Sequence, residues 1–179
     1  TKAATVVRHN DQLRDAIEKV NELSVRVENC SLSDTGNWTN QNVIFTKSLR
    51  DMFPIAKAIL HGALARDESR GPHYKPEFEM PGIDASATPE DRRRLAGQWC
   101  DVFQKRTDRF LKTTIAEFDD KGNPTLSFEA VDTSLIPPRP RLYGLVGADV
   151  IEEVWKERQA KHAANGSAAK VGAAAAAAS

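Results

Sequence analysis

The sequence predicts a mainly α-helical chain: a three-helix bundle in an up-down, spectrin-like arrangement, with a small two-stranded hairpin and an extended C-terminal strap. Two long segments, residues 1–29 and 40–66, repeat apolar residues at spacings of three, four and seven, which is the period of one helix face. A third segment opens with Thr88-Pro89-Glu90-Asp91, which combines a capping hydroxyl, a first-position proline and first-turn acids. Two alternating runs on either side of a turn predict the hairpin.

The apolar stripes of the first two segments are interpreted as core-facing, with the charged residues of each helix in solvent. The first stripe holds Val6, Leu13, Ile17, Val20 and Val27, and the second holds Phe45, Leu49, Met52, Ile55 or Ala56, Ile59 and Ala63.

Two residues modify this pattern. Pro54 lies inside the second helix, where it removes a backbone donor and clashes with the carbonyl four residues earlier, so we expect a kink or a break near Leu49–Met52. Trp38 lies in a connecting loop rich in turn-forming residues, and we expect its indole to anchor that loop against the bundle.

In the second half of the chain the sequence patterns extend over shorter segments. The basic run Arg92-Arg93-Arg94 is interpreted as a solvated helix face, strands are predicted over 113–118 and 125–131, and residues 135–141 are expected to be extended. A last helix should start at Gly147 or Asp149, and the alanine-rich chain beyond it should have little fixed structure. The predicted segments are 1–112 (helical domain), 113–143 (hairpin and strap), 144–162 (C-terminal helix) and 163–179 (low-complexity tail).

Composition excludes several function classes. The 25 basic and 25 acidic residues give zero net charge, which argues against a nucleic-acid partner. Cys30 and Cys100 are far apart, and the four histidines have no ligand spacing, so we expect no metal site. No apolar run approaches the roughly 20 residues that span a bilayer, so we expect no direct membrane insertion.

The richest polar stretch is residues 67–78. Gly71 and Pro72 cannot continue a helix, so the second helix should end near Arg66 and leave a turn that carries Glu68, Ser69, Arg70 and His73. The simplest interpretation is a helix end at which Arg70 and His73 satisfy the last carbonyls and a nearby carboxylate.

This stretch also carries a resemblance. Residues 65–74 resemble the R-x-E-S-R-G-x-H motif of the flavoprotein subunit of succinate dehydrogenase and fumarate reductase, and L-aspartate oxidase has a related motif. Residues 108–114 resemble that family's acid-x-W-x-K-H-T segment, with Phe110 in place of the tryptophan and Thr113 in place of the histidine. Residues 137–143 resemble its proline-basic-tyrosine stretch, so three motifs occur in order over residues 1–143.

The resemblance implies the C-terminal helical domain of such a flavoprotein. It would brace the FAD-binding part and contact the iron–sulfur subunit in succinate/fumarate oxidoreduction. The parent complex would lie in the cytoplasm, peripheral on the inner face of the membrane. No G-x-G-x-x-G pattern occurs, so FAD belongs to the parent enzyme, and the segment alone is expected to bind no cofactor and to be inactive.

The same resemblance assigns no catalytic residue to this segment. The family-motif turn, with a structural or an interface role, consists of Glu68, Ser69, Arg70, Gly71, His73 and Tyr74. The alternatives are a stand-alone helical protein-interaction module and the C-terminal domain of an L-aspartate oxidase.

Overall fold

A computed structural model describes residues 3–176, with side chains described for residues 3–162. The elements in chain order are α1 (Asn10–Glu28), α2 (Gln41–Leu64), a 3₁₀ turn (Pro76–Phe78), α3 (Pro89–Phe110), β1 (Lys112–Phe118), β2 (Pro124–Ala130) and α4 (Ala148–Ala176). The mainly helical class with a two-stranded antiparallel hairpin is confirmed. The chain divides into two compact units, the first joining residues up to Glu79 with Phe110–Val131, the second joining Met80–Arg109 with residues from Asp132 onward.

The first unit is built on the pairing of α1 with α2. Leu13, Leu60 and Ala63 form its buried core, and partly buried apolar residues of the same two helices, together with Ala4, pack around them. The side chain of Asn40 caps α2 by accepting from the backbone N–H groups of Asn42 and Val43, as expected of an asparagine at that position. β1 and β2 pair from Lys112↔Ala130 to Phe118↔Pro124, close to the predicted strands.

The outer face of α2 is exposed, which corrects the sequence-based interpretation. Ile44, Phe45, Leu49, Met52, Ile55 and Ile59 are between 45 % and 66 % exposed, whereas the buried residues of α2 are Lys57, Leu60 and Ala63. The stripe was correctly identified as apolar, but periodicity reports amphipathicity and not the identity of the packing partner.

One further expectation for this unit was wrong, and a second is only partly decided. Trp38 is 89 % exposed and anchors nothing within the described part of the chain. α2 runs through Pro54 without the break that was one of the two expected outcomes, and the kink stays a prediction.

The first helix begins at Asn10, not at the start of the chain. Residues before it form an isolated parallel bridge between Val7 and Tyr74, in which the Arg8 N–H donates to the Tyr74 carbonyl (2.8 Å) and the Tyr74 N–H to the Val6 carbonyl (3.0 Å). In a longer helix these backbone groups would form intrahelical hydrogen bonds, whereas here they form hydrogen bonds with Tyr74 of the motif turn. The β-branched residues in this segment also favour an extended backbone.

The second unit pairs α3 with α4. Its buried core consists of Ile83, Ala96, Trp99, Cys100, Ile151, Val154 and Trp155. Phe103 stacks on Trp99 (5.6 Å between ring centroids) and meets Trp155 edge-on (5.2 Å). The predicted three-helix arrangement is not confirmed, since the core clusters pair α1 with α2 and α3 with α4.

Ion pairs join α3 to α4 along one side. Arg92 reaches Asp149 (3.2 Å), and Arg93 reaches Glu153 (3.5 Å) and Glu157 (2.6 Å). Two of the three arginines that were interpreted as a solvated face thus contact the neighbouring helix. These pairs are exposed or partly exposed, and such ion pairs contribute little in water, so the apolar core remains the main source of stability.

The last helix extends further than predicted. α4 begins at Ala148 and continues to Ala176, well past residue 162, where the helix was expected to end. Alanine has the highest helix propensity, which favours continuation through this segment. The expectation for residues 177–179 lies outside the described residues. In the part of the chain that the structure describes, no helix has the length and apolarity needed to cross a bilayer.

Candidate functional site

The predicted motif turn is closed by its own hydrogen bonds. Arg70 and His73 exchange both backbone hydrogen bonds (2.8 and 3.1 Å) across Gly71, whose φ of +58° is accessible to glycine at little cost. The Ser69 hydroxyl donates to the Lys75 carbonyl (2.9 Å) and accepts from the Lys75 N–H (3.0 Å). The turn is therefore a fixed structure that follows the end of α2.

Glu68 is the centre of the turn and is only 2 % exposed. Arg66 Nε donates to its Oε1 (3.1 Å), and Arg70 Nε donates to its Oε2 (2.9 Å). Because an unpaired buried carboxylate is very costly, two guanidinium groups flanking one carboxylate explain why an ionised glutamate can be accommodated here.

Arg66 has a second role, which the sequence did not predict. Its guanidinium also donates to the carbonyls of Phe110 (2.6 Å) and Lys112 (3.3 Å) and to the hydroxyl of Thr114 (3.5 Å). The five donors of arginine allow this division between a carboxylate and a backbone edge. Arg66 thus ties the end of α2 to the start of β1.

His73 is held between a carbonyl and a cation. Its Nε2 lies 3.0 Å from the Arg66 carbonyl, and its Nδ1 lies 2.7 Å from Arg8 Nη1. Since a carbonyl only accepts and a guanidinium only donates, this network assigns the neutral tautomer with the proton on Nε2. Burial lowers the pKa of His73, and the positive charges of Arg8, Lys75 and Arg66 lower it further, against the Arg66 carbonyl hydrogen bond, which raises it.

Lys75 is fully buried beneath the turn. Its ammonium donates to Asp67 Oδ1 (3.2 Å) and to the Leu64 carbonyl (3.3 Å) and lies 5.6 Å from the ring centroid of Phe78. Burial lowers the pKa of Lys75, while the hydrogen bond to Asp67 opposes that shift. The lysine caps the last turn of α2 from within the unit.

Tyr74 directly follows His73, and the hydrogen bond of its hydroxyl group is exposed to solvent. Its hydroxyl donates to Glu79, and this hydrogen bond raises the pKa of the phenol. Its backbone forms the bridge to residues 6–8 described above.

The structure therefore brings together every residue of the predicted turn: Glu68, Ser69, Arg70, Gly71, His73 and Tyr74. The choice between a structural and an interface role stays a prediction. Sequence reasoning did not assign Arg8, Arg66, Asp67 or Lys75 to the site. Arg66 and Asp67 lie within the matched motif and could have been included, whereas Arg8 is 65 residues from His73 and carries no local signal.

Chemically, this arrangement fixes chain segments to one another. Each charged group described above is engaged by a group of opposite charge, a carbonyl or a histidine nitrogen of the same unit. Among the described residues, no group of three or more His, Cys, Asp or Glu side chains is arranged to hold a metal ion. The sheet among the described residues is one antiparallel hairpin, which differs from the parallel βαβ unit of dinucleotide-binding folds.

These features define a mainly helical chain with a buried, doubly bridged carboxylate at the end of a long helix. The family described as "Fumarate reductase flavoprotein C-term" matches residues 1–143. The chain belongs to this family, and the resemblance seen in the sequence is confirmed.

Known relatives agree with this assignment. The chain is 36 % identical over 144 residues to the succinate dehydrogenase flavoprotein subunit of Bacillus subtilis, covering 80 % of this chain and 20 % of that protein. It is 29 % identical over 157 residues to the fumarate reductase flavoprotein subunit of Escherichia coli, covering 87 % and 22 %. Among solved structures, an E. coli quinol fumarate reductase FrdA variant matches with a TM-score of 0.57 and 29 % identity, covering 78 % of this chain and 20 % of that one.

The matches cover most of this chain but only a small part of each relative. The chain spans about a fifth of the length of the curated relatives it matches. The match to the family description ends at residue 143, before helix α4 (Ala148–Ala176) begins.

Proposed function

We propose that this chain is the C-terminal helical domain of a succinate dehydrogenase or fumarate reductase flavoprotein and braces its FAD-binding part. In the assembled enzyme it would also contact the iron–sulfur subunit during succinate/fumarate oxidoreduction. FAD and the reacting dicarboxylate would bind the remainder of the flavoprotein, and this segment alone would be inactive. The parent complex would lie on the inner, cytoplasmic face of the membrane without insertion of this domain. Family membership and the names of the relatives support the proposal.

One observation carries the bracing role: the outer face of α2 is apolar and unpartnered among the described residues. It holds Ile44, Phe45, Leu49, Met52, Ile55 and Ile59. Soluble monomers rarely leave a contiguous apolar surface of this extent in water, because each such side chain gains roughly 1.5–3 kcal/mol on full burial. This face is therefore expected to be covered in the working protein.

The proposed occupant of this face is the FAD-binding part of the same flavoprotein. In the relatives about four-fifths of the polypeptide lies outside the matched segment, so the covering surface is available within one protein. The polar motif turn is a poorer candidate for this contact, because its charged groups are already engaged with each other. An uncharged helix face also matches the apolar cores of permanent interfaces.

The alternative functions receive less support. The two relatives named above are succinate dehydrogenase and fumarate reductase subunits, which favours these enzymes over L-aspartate oxidase. A stand-alone interaction module would equally use the outer face of α2, but the match of residues 1–143 to a flavoprotein domain favours an intramolecular partner.

The test is a charge placed in the middle of this face. Met52→Asp should leave the isolated chain within about 0.5 kcal/mol of the wild type, as for an ordinary surface substitution. In the full-length flavoprotein the same change should lower thermal stability and flavin retention on gel filtration, because a carboxylate would be buried without a partner. Lys47→Asp, at an exposed position of α2 outside the apolar set, is the matched control. A full-length Met52→Asp protein that keeps its flavin and its melting temperature would exclude this face as the docking surface.

A further inference from the structure

The first unit contains a cavity on a different side of α2 from the apolar face. It measures about 460 Å³ and lies between the end of α1, the middle of α2 and the turn of the hairpin. None of the six exposed apolar residues of α2 lines it. Its apolar wall consists of Val25, Val27, Phe53, Pro54 and Phe118.

Lys57 lines this cavity and is 8 % exposed. Its ammonium donates to the carbonyl of Gly122 (3.2 Å), which belongs to the cavity wall as well. Among the described residues no carboxylate lies within ion-pairing distance of this ammonium, and its other donors have no protein acceptor. A buried ammonium that forms no ion pair is energetically costly, so native proteins usually pair such groups.

The other charges around the cavity form no ion pair with Lys57. Glu28 is already engaged by both Arg50 Nε (3.1 Å) and Arg50 Nη2. Asp119, in the hairpin turn, accepts from the N–H groups of Lys121 (3.0 Å) and Asn123 (2.7 Å), and the hydrogen bonds from Asn123, together with the nearby charge of Lys57, lower the pKa of Asp119. Lys121 adds a second positive charge to the lining, so the cavity carries a net excess of cations.

We propose that this cavity binds a small monocarboxylate with an apolar body, whose carboxylate forms a direct ion pair with Lys57. The carboxylate would accept hydrogen bonds from Lys57 and lie within the field of Lys121, and the apolar body would pack on Phe53, Val27 and Phe118. A single deeply buried cation beside an apolar wall favours one anionic group over two. A ligand with a charge at each end would have to bury its second carboxylate against these apolar residues.

This proposal is independent of the proposed role in the flavoprotein, because it concerns a cavity formed entirely within the first unit. It can be tested on the 179-residue chain with hexanoate as the probe, followed by changes in the backbone amide NMR spectrum. We expect saturable shifts that centre on Phe53, Lys57 and the 118–122 turn. The neutral isostere hexanamide should bind at least tenfold more weakly, because it has no charge to pair with Lys57.

Two variants locate the interaction. Lys57→Met keeps an apolar stem of similar length and should weaken hexanoate binding at least tenfold, and Lys121→Met should weaken it two- to fivefold. Lys47→Met, on the same helix but outside the cavity, should bind as the wild type does. The hexanamide comparison uses the wild-type chain alone, so it remains decisive if Lys57→Met does not fold.

Several outcomes would overturn the proposal. Equal binding of hexanoate and hexanamide would mean that the cavity recognises only apolar surface. Unchanged affinity in Lys57→Met, or shifts that do not saturate, would remove Lys57 as the anion ligand. Binding of succinate or inorganic phosphate as tightly as hexanoate would contradict the assignment of a monocarboxylate with an apolar body.

Discussion

Replacing Arg70 by alanine separates a structural role of the motif turn from a role at an interface. In the structure Arg70 Nε donates to Oε2 of Glu68 at 2.9 Å, and that carboxylate is almost completely buried. Arg70→Ala removes this donor while Arg66 continues to hold the other oxygen. The carboxylate would then be half-satisfied in a place that water reaches poorly.

The size of the effect follows from these contacts. A hydrogen bond to a charged group contributes about 1.5–3 kcal/mol, and a buried acceptor left without its donor adds to the loss. Breaking a buried pair completely costs about 3–5 kcal/mol, but Arg66 remains and keeps the charge compensated. We therefore expect Arg70→Ala to lower the free energy of unfolding by about 2 kcal/mol. Arg66→Ala should cost more, because Arg66 also holds the carbonyls of Phe110 and Lys112.

Urea unfolding of the isolated chain, followed by far-UV circular dichroism, measures both losses. The matched control is Arg26→Ala, since Arg26 forms an exposed ion pair with Glu22 at 3.6 Å on the surface of α1. Because that pair lies in solvent, its loss should have the effect of an ordinary surface substitution. An Arg70→Ala loss below about 0.5 kcal/mol, indistinguishable from the control, would refute the structural role and leave an interface role for this residue.

Two further predictions concern the cofactor and pH. The isolated chain should not bind FAD, because the described residues hold no dinucleotide-binding unit. Titration with FAD, followed by flavin fluorescence, checks this. Saturable binding with a dissociation constant in the micromolar range or tighter would contradict it. Burial lowers the pKa of both His73 and His61 below the ordinary value of 6.5, so the folded chain binds fewer protons than the unfolded chain. The free energy of unfolding should be fully retained above pH 6.5 and fall as the pH drops below it, and His73→Gln should flatten this decline. Urea midpoints measured above and below that pH test it, and a decline that His73→Gln leaves unchanged would show that His73 is not its source.

Local chemistry made parts of this fold predictable. The start of α3 depends on the hydroxyl of Thr88, which accepts from the Asp91 N–H (3.2 Å), and on Pro89 beside it. The hairpin depends on alternation and on the Asp119–Asn123 turn, in which Gly122 adopts a φ of +73°. Each of these signals lies within a few residues, so the sequence alone is sufficient to predict the start of α3 and the hairpin.

What the sequence did not reveal depends on contacts between distant segments. The period of α2 identified its apolar residues, yet Phe45, Met52 and Ile59 are exposed because α1 packs elsewhere on the helix. The residues of the motif turn are contiguous and were found, but Arg8 reaches His73 from a segment whose extended form is set by pairing with Tyr74. No local pattern encodes that pairing.

The position of α4 has a practical consequence for anyone who produces this domain. The family match ends at residue 143, and that limit would be the natural place to stop a recombinant chain. Stopping there removes Ile151, Val154 and Trp155 and uncovers Ala96, Trp99 and Cys100 on α3. Newly bared aromatic surface promotes self-association, and Cys100, now shielded, would become open to oxidation. A soluble preparation should therefore retain the chain at least through Arg158, whose guanidinium holds Asp101 at 2.6 Å and the Gly97 carbonyl at 2.9 Å.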